Sequence, residues 1–249
     1  MLAFQASGPA DAPVVVLGGS LGTTGTMWAP QVAALRDEFR VVAFDHRGHG
    51  GSPPLPGPYS LEDLGTDVLA LLDHLGLDRV HYAGLSLGGM VGMWLAAHAP
   101  DRIDRLALLC TAAHLPPASG WHQRAATVRA DGMGAIADAV VARWFTPGFR
   151  PDVVAGFTEA LLVIDAEGYA GCCEAIAGMD LRPVLGSIGA PTLVIAGADD
   201  PATPPALAKT IVEGVRGAEL VVLPDAAHLA SVEQAGAVSA LLHRHFTAG

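Results

Sequence analysis

A mainly parallel β-sheet covered by helices on both faces, with an all-helical segment inserted into it, is the fold predicted by this 249-residue sequence. Three observations predict it. Apolar, β-rich runs at residues 12–17, 39–44, 79–83, 103–110, 191–196 and 218–223 alternate with helix-like segments, and strands apolar along their whole length belong to a parallel sheet buried on both sides. The sequence Gly84-Leu85-Ser86-Leu87-Gly88 stands between one such run and a helical pattern. From about 115 to 185 the alternation stops, and segments 121–130, 134–145, 152–164 and 168–179 all prefer helix with no strand between them.

The first run leads into a glycine-rich loop, Gly18-Gly19-Ser20-Leu21-Gly22, which lacks the Gly-x-Gly-x-x-Gly spacing of dinucleotide binding. The second leads into Asp45-His46-Arg47-Gly48-His49-Gly50-Gly51-Ser52, followed by a short stiff proline loop at 53–58. Residues 61–75 are amphipathic: Leu61, Leu64, Val68, Leu71, Leu72 and Leu75 share a face, Ser60 is the N-cap, Asp63 completes a capping box and Gly76 ends the helix. The run at 79–83 enters the Gly-x-Ser-x-Gly turn, and the helix after it carries Met90, Met93, Trp94 and Ala97 at helical spacing before Pro100 stops it. The helical segment follows the strand that ends near Cys110, so it is expected to lie over the C-terminal edge of the sheet, where ligands bind in open α/β sheets. The expected division is a core of residues 1–114 and 186–249 and a cap of residues 115–185.

With 25 acidic against 14 basic residues, the net charge is −11, and no basic run follows a phosphate backbone; nucleic acid is not an expected partner. An anionic substrate would need a cation supplied locally against that field. No apolar stretch approaches the length of a membrane span and the first residues do not read as a leader, so the expected location is the cytoplasm, away from the membrane. Cys110, Cys172 and Cys173 are an odd set that reads as buried free thiols. No metal site is expected: His243 and His245 read as a solvated helix end.

A serine between glycines at a strand-to-helix junction is lifted out of the sheet by a strained turn, and a side chain two residues away on either side would collide with its neighbours. Such a serine needs a base, a group to orient the base, and donors for an oxyanion. The chain order that goes with this turn puts the acid and the histidine in loops after later strands. Gly197-Ala198-Asp199-Asp200 and Pro224-Asp225-Ala226-Ala227-His228 fall there. His228 alone among ten histidines lies between the last strand and the last helix. Adjacent aspartates at a strand end point in opposite directions, and the Gly-x-x-Asp-x-x-x-Pro spacing from Gly197 to Pro204 favours Asp200 over Asp199. The oxyanion donors expected are the backbone N–H of Leu87 and that of either Ser20 or Leu21.

Together these residues resemble the α/β-hydrolase fold superfamily, in which the Asp45 to Ser52 turn is structural. More narrowly, Gly19 to Trp28, Asp45 to Gly50, Gly84 to Val91, Arg143 to Pro147, Gly168 to Cys173 and Ala196 to Pro205 resemble bacterial 3-oxoadipate enol-lactonases over nearly the whole chain, the cap included. The resemblance implies cofactor-free opening of the enol-lactone to 3-oxoadipate by Ser86, Asp200 and His228, a late step in breakdown of protocatechuate and catechol. That small-molecule substrate carries a carboxylate. Arg143 is the first candidate to bind it, with Arg124 behind, and Trp121 and Trp144 could wall the pocket; the competing reading is a surface arginine and aromatics that only pack the cap.

The chain departs from this family in lacking the strand that commonly precedes the segment matching residues 2–5, so the first edge of the sheet is expected to be absent or weak. It also ends after its last helix, 231–246, without the carboxymuconolactone decarboxylase domain fused to some relatives, so hydrolysis alone is expected. The rivals are an esterase or another lactonase with the same triad, and a ligand-binding protein that keeps the fold without turnover.

Overall fold

The computed structural model describes residues 1–248. Among them the strands β1 (Phe4–Ser7), β2 (Val14–Gly18), β3 (Arg40–Phe44), β4 (Val80–Leu85), β5 (Ile103–Leu109), β6 (Thr192–Gly197) and β7 (Glu219–Leu223) form one sheet in the order β1-β3-β2-β4-β5-β6-β7. All neighbours run parallel except β1 with β3. Every residue of β4 and β6 is buried, as unbroken apolar runs between two helical layers require. β7 closes the opposite edge and leaves Val222 exposed.

The helices of the core are α1 (Ala29–Leu35), α2 (Leu61–His74) and α3 (Leu87–His98), with others after β6. The capping box of α2 forms: Ser60 Oγ accepts from the Asp63 N–H, and Asp63 accepts from the Ser60 N–H at 2.8 Å. Between β5 and β6 the chain is helical, with α4 (Ala118–Asp131), α5 (Ala137–Val141), α6 (Pro151–Leu162) and α7 (Ala166–Gly178) forming an inserted cap. After β6 come α8 (Pro205–Gly214), then α9 (Ala230–Glu233) and α10 (Ala235–Thr247) beyond β7.

Three elements differ from the sequence reading. β1 is a strand with no apolar alternation, its burial running intermediate, exposed, exposed, intermediate, so nothing in its pattern announces it; it forms because β3 offers an open edge. The helix expected over 134–145 shrinks to the five residues of α5. Arg143 and Trp144 follow it in tight turns, their amides bonding back three residues to Val140 and Val141, which frees the Trp144 carbonyl for the N–H of Leu229. The last helix is not continuous. Gln234 leaves helical geometry at φ −112, ψ 44, and its amide Nε2 donates to the carbonyl of Asp225 at 3.0 Å, dividing α9 from α10.

The turn after β3 braces the core. Asp45 accepts from the amides of Gly25 at 2.7 Å and Gly51 at 2.9 Å, and the Ser52 hydroxyl donates to the Asp45 carbonyl. Gly48, at φ +72, lies so close to the first turn of α7 that a Cβ on it would fall 2.2 Å from the Cα of Gly168. No helix among the described residues is long and apolar enough to cross a membrane.

Candidate active site

Ser86 sits where β4 becomes α3, at φ 55 and ψ −113, a backbone region sparsely populated by residues with a side chain. The strain is held from three sides: the Ser86 N–H donates to Leu109 O at 2.9 Å, and its carbonyl accepts from Thr111 Oγ1 at 2.7 Å and the Met90 N–H at 3.0 Å. The flanking glycines are steric. A Cβ on Gly84 would lie 2.2 Å from the carbonyl of Gly88, and one on Gly88 would lie 2.2 Å from Gly18 O. The tight approach of α3 to the loop after β2 lets the Gly88 N–H bond Gly19 O at 3.0 Å.

Asp200 lies in the loop after β6 and His228 in the loop after β7. The His228 Nδ1–H donates to Asp200 Oδ2 at 2.9 Å. The same oxygen accepts from Thr203 Oγ1 at 2.7 Å, while Oδ1 accepts from the amides of Ala202 at 2.8 Å and Thr203 at 3.0 Å. Burial pushes the Asp200 carboxyl up, but the neighbouring His228 charge and these hydrogen bonds outweigh it and hold the group below its ordinary range. An ionised Asp200 fixes the proton of His228 on Nδ1 and leaves Nε2 as an acceptor. Asp199 is exposed.

Ser86 and His228 border one cavity of about 270 Å³ between the sheet edge and the cap. Ser20 and Leu21 border it too; Trp121, Arg143, Trp144 and, from outside the sequence-based candidates for walls, Tyr169 and Thr203 are among its other lining residues. Arg124 lines it as well, its guanidinium 4.5 Å from the centre of the Trp121 ring. Trp144 is buried with its ring edge-on to Phe157, so it both packs the cap and faces the cavity. Of the two candidate loop amides, that of Ser20 is directed at Met27 Sδ, 3.4 Å away.

The electrostatics of the cavity are one-sided. Among the described residues no Asp or Glu lines it, and neither Arg124 nor Arg143 has an ion-pair partner. Burial and then the nearby charge of Arg124 lower the pKa of Arg143 from its ordinary value, although a guanidinium stays protonated at any working pH. Two cations without an ion-pair partner therefore line the cavity that Ser86 borders, in a chain of net charge −11. Among the described residues no group of three or more His, Cys, Asp or Glu is placed to hold a metal ion.

Two buried histidines support the loop after β2. His46 Nε2–H donates to Gly19 O at 3.1 Å, and His49 Nε2 accepts from the Gly22 N–H at 3.0 Å. Burial, followed by repulsion from His49, lowers the His46 pKa from 6.5 to about 3. The unfolded chain protonates near 6.5 while the folded one refuses the proton, so stability is full above that pH and is lost as pH falls toward 3. His49, His81 and His245 are lowered too and act with the same sign. The urea midpoint is expected to fall between pH 7 and 5, before carboxylates titrate, and to fall less in His46→Gln, whose Nε2 keeps a donor for Gly19 O. Equal slopes in the two proteins would remove His46 as the cause.

The α/β hydrolase fold family matches residues 12–162, and a family described as TAP-like protein matches 166–249. The 3-oxoadipate enol-lactonase 2 of Acinetobacter baylyi is 44% identical over 94% of this chain and 88% of its own length. The crystal structure of the enol-lactonase from Burkholderia xenovorans LB400 superposes with a TM-score of 0.97 at 44% identity, covering 99% of this chain and 96% of that one. A thermophilic esterase from Thermogutta terrifontis, solved with malate bound, superposes with a TM-score of 0.92 at 31% identity, covering 98% of this chain and 92% of the esterase.

Proposed function

Because the chain belongs to the α/β-hydrolase fold family and is a hydrolase like the enol-lactonases it resembles, we propose that it opens 3-oxoadipate enol-lactone to 3-oxoadipate through an acyl-serine on Ser86. The observation that carries the substrate is the pair of unpaired arginines, Arg124 and Arg143, in the cavity that Ser86 and His228 share. A neutral ester offers two half-buried guanidiniums nothing to pair with, whereas a lactone with a free carboxylate does. The malate-bound esterase is a relative in which a carboxylate ligand is accommodated on the same fold.

In this reading His228 Nε2 takes the Ser86 proton as Oγ attacks the lactone carbonyl, with Asp200 holding the imidazole and stabilising the imidazolium. The oxyanion is met by the N–H of Leu87, at the start of α3, and by that of Leu21, since the Ser20 amide is already engaged by Met27. Collapse breaks the bond from the carbonyl carbon to the ring oxygen. The enol oxygen leaves but stays tethered through the acyl chain, takes the proton from His228, and the enol becomes a ketone. Water activated by His228 then attacks the acyl-serine and releases the second carboxylate.

The same triad serves an esterase with another substrate, as the Thermogutta relative illustrates, and rates decide between the two. The lactone, followed by loss of its ultraviolet absorbance, should be turned over far faster than a neutral aryl ester. Arg143→Ala and Arg124→Ala should each raise KM for the lactone about 10- to 100-fold, corresponding to about 1.5–3 kcal/mol for a charged hydrogen bond, with little change for the ester. Faster ester turnover, or equal effects of the substitutions on both substrates, would retire the proposed substrate.

A further inference from the structure

Behind the wall made by Arg143 and Trp144, the cap is bonded to the loop that carries His228. The Leu229 N–H donates to Trp144 O at 2.8 Å. Glu233, the last residue of α9, accepts through Oε2 from the Ala227 N–H at 2.6 Å, and through Oε1 from both the N–H and the hydroxyl of Thr146, each at 2.7 Å. The residues on both sides of His228 are thus anchored to residues 144–146 of the cap. Glu233 is half-buried, and among the described residues no cation pairs with it: its bonds are to two main-chain amides and a hydroxyl. Bonds to a carboxylate are shorter and roughly twice as strong as neutral ones, which suits a fixed brace better than a solvated surface charge. The break at Gln234 accompanies it, ending α9 so that its final side chain reaches two loops while α10 runs on separately.

We propose that Glu233 is a positioning residue that locks the anion-binding wall of the cap to the general base, holding a carboxylate seated at Arg143 and the Nε2 of His228 in one register. The inference rests on the serine-hydrolase reading above. Arg143, Trp144 and Thr146 are nearly consecutive, so a ligand that orders Arg143 orders the segment Glu233 grips, and through Ala227 the loop of His228. Binding energy gained far from the scissile bond is in this way spent on orienting the base.

The test is the second-order rate of Ser86 phosphonylation by two fluorophosphonates of similar length, one ending in a methyl group and one in a carboxylate. Wild type should react faster with the carboxylate probe. Glu233→Ala should react about tenfold more slowly with the neutral probe and lose most of the preference for the charged one. Thr146→Val, which removes only the hydroxyl donor, should shift both readings the same way by a smaller factor, and Thr146→Ser should recover them; this pair carries the test if Glu233→Ala does not fold. A slowed reaction with the preference intact would mean Glu233 serves the histidine loop alone and overturns the coupling, as would unchanged rates. No labelling of wild type by either probe overturns the serine-hydrolase reading itself, and the inference with it.

Discussion

Replacing Ser86 with alanine is expected to lower kcat for the enol-lactone by about a millionfold, the size typical of removing the nucleophile from a triad that acts as a unit. The loss should not deepen when His228→Ala is added, because a base with no hydroxyl to activate has nothing left to lose. Affinity for the lactone should survive, since Arg124 and Arg143 stand apart from the serine on the cap. Stability separates alanine from glycine here. Alanine keeps the Cβ that makes φ 55, ψ −113 costly, so Ser86→Ala should melt close to wild type, while Ser86→Gly releases strain and should gain about 1 kcal/mol. A burst of product in Ser86→Ala at an appreciable fraction of the wild-type rate would place the chemistry on another residue.

Gly88→Ala is expected to be among the most damaging single methyls in the core, costing about 3 kcal/mol or more. The added carbon would sit 2.2 Å from Gly18 O, 2.4 Å from Gly18 C and 2.9 Å from Gly19 O, all main-chain atoms that no rotamer change can move. Relief requires α3 to back away from the loop after β2. That would part Leu87 from Leu21, the two proposed oxyanion donors, so activity should fall even in whatever fraction folds. Gly156→Ala is the matched control: Gly156 lies within α6 and is exposed, and a Cβ there meets nothing within 4 Å. It should stabilise the protein by up to about 1 kcal/mol through helix propensity. Urea unfolding of both variants would check the contrast, and similar midpoints would contradict it.

How far the fold was legible depends on whether local pattern or tertiary contact decides each element. The buried strands β2 to β6 and the helix α2 announce themselves, because an unbroken apolar run or a capped amphipathic face admits few alternatives. β1 did not, since half its residues face solvent and only pairing with β3 makes it a strand. α5 and the break at Gln234 were hidden for a related reason: helical propensity is adequate there, but bonds between the cap and the His228 loop compete with it and prevail. In the candidate site, chain order made Ser86 and His228 the candidates, and the loop spacing from Gly197 to Pro204 was needed to prefer Asp200 to Asp199. Neither could distinguish the amide of Ser20 from that of Leu21, which differ only in Met27's approach, or give Arg124 its place beside Arg143. Thr203 lies within the Gly197 to Pro204 stretch, but its hydroxyl gains meaning only from the distance to Asp200.

The contact between Gly48 and Gly168 sets a dimension of the cavity. Tyr169, next in the chain after Gly168, lines the cavity and stacks on His49, while Gly48 belongs to the turn after β3. With no Cβ on either side, main chain rests on main chain, and the spacing between core and cap at this rim is a fixed length with no rotamer to lengthen or shorten it. On the rim where Trp121 and Arg124 meet, the spacing is instead carried by long side chains. The cavity is therefore gauged by its backbone along one side and fitted by its side chains along the other.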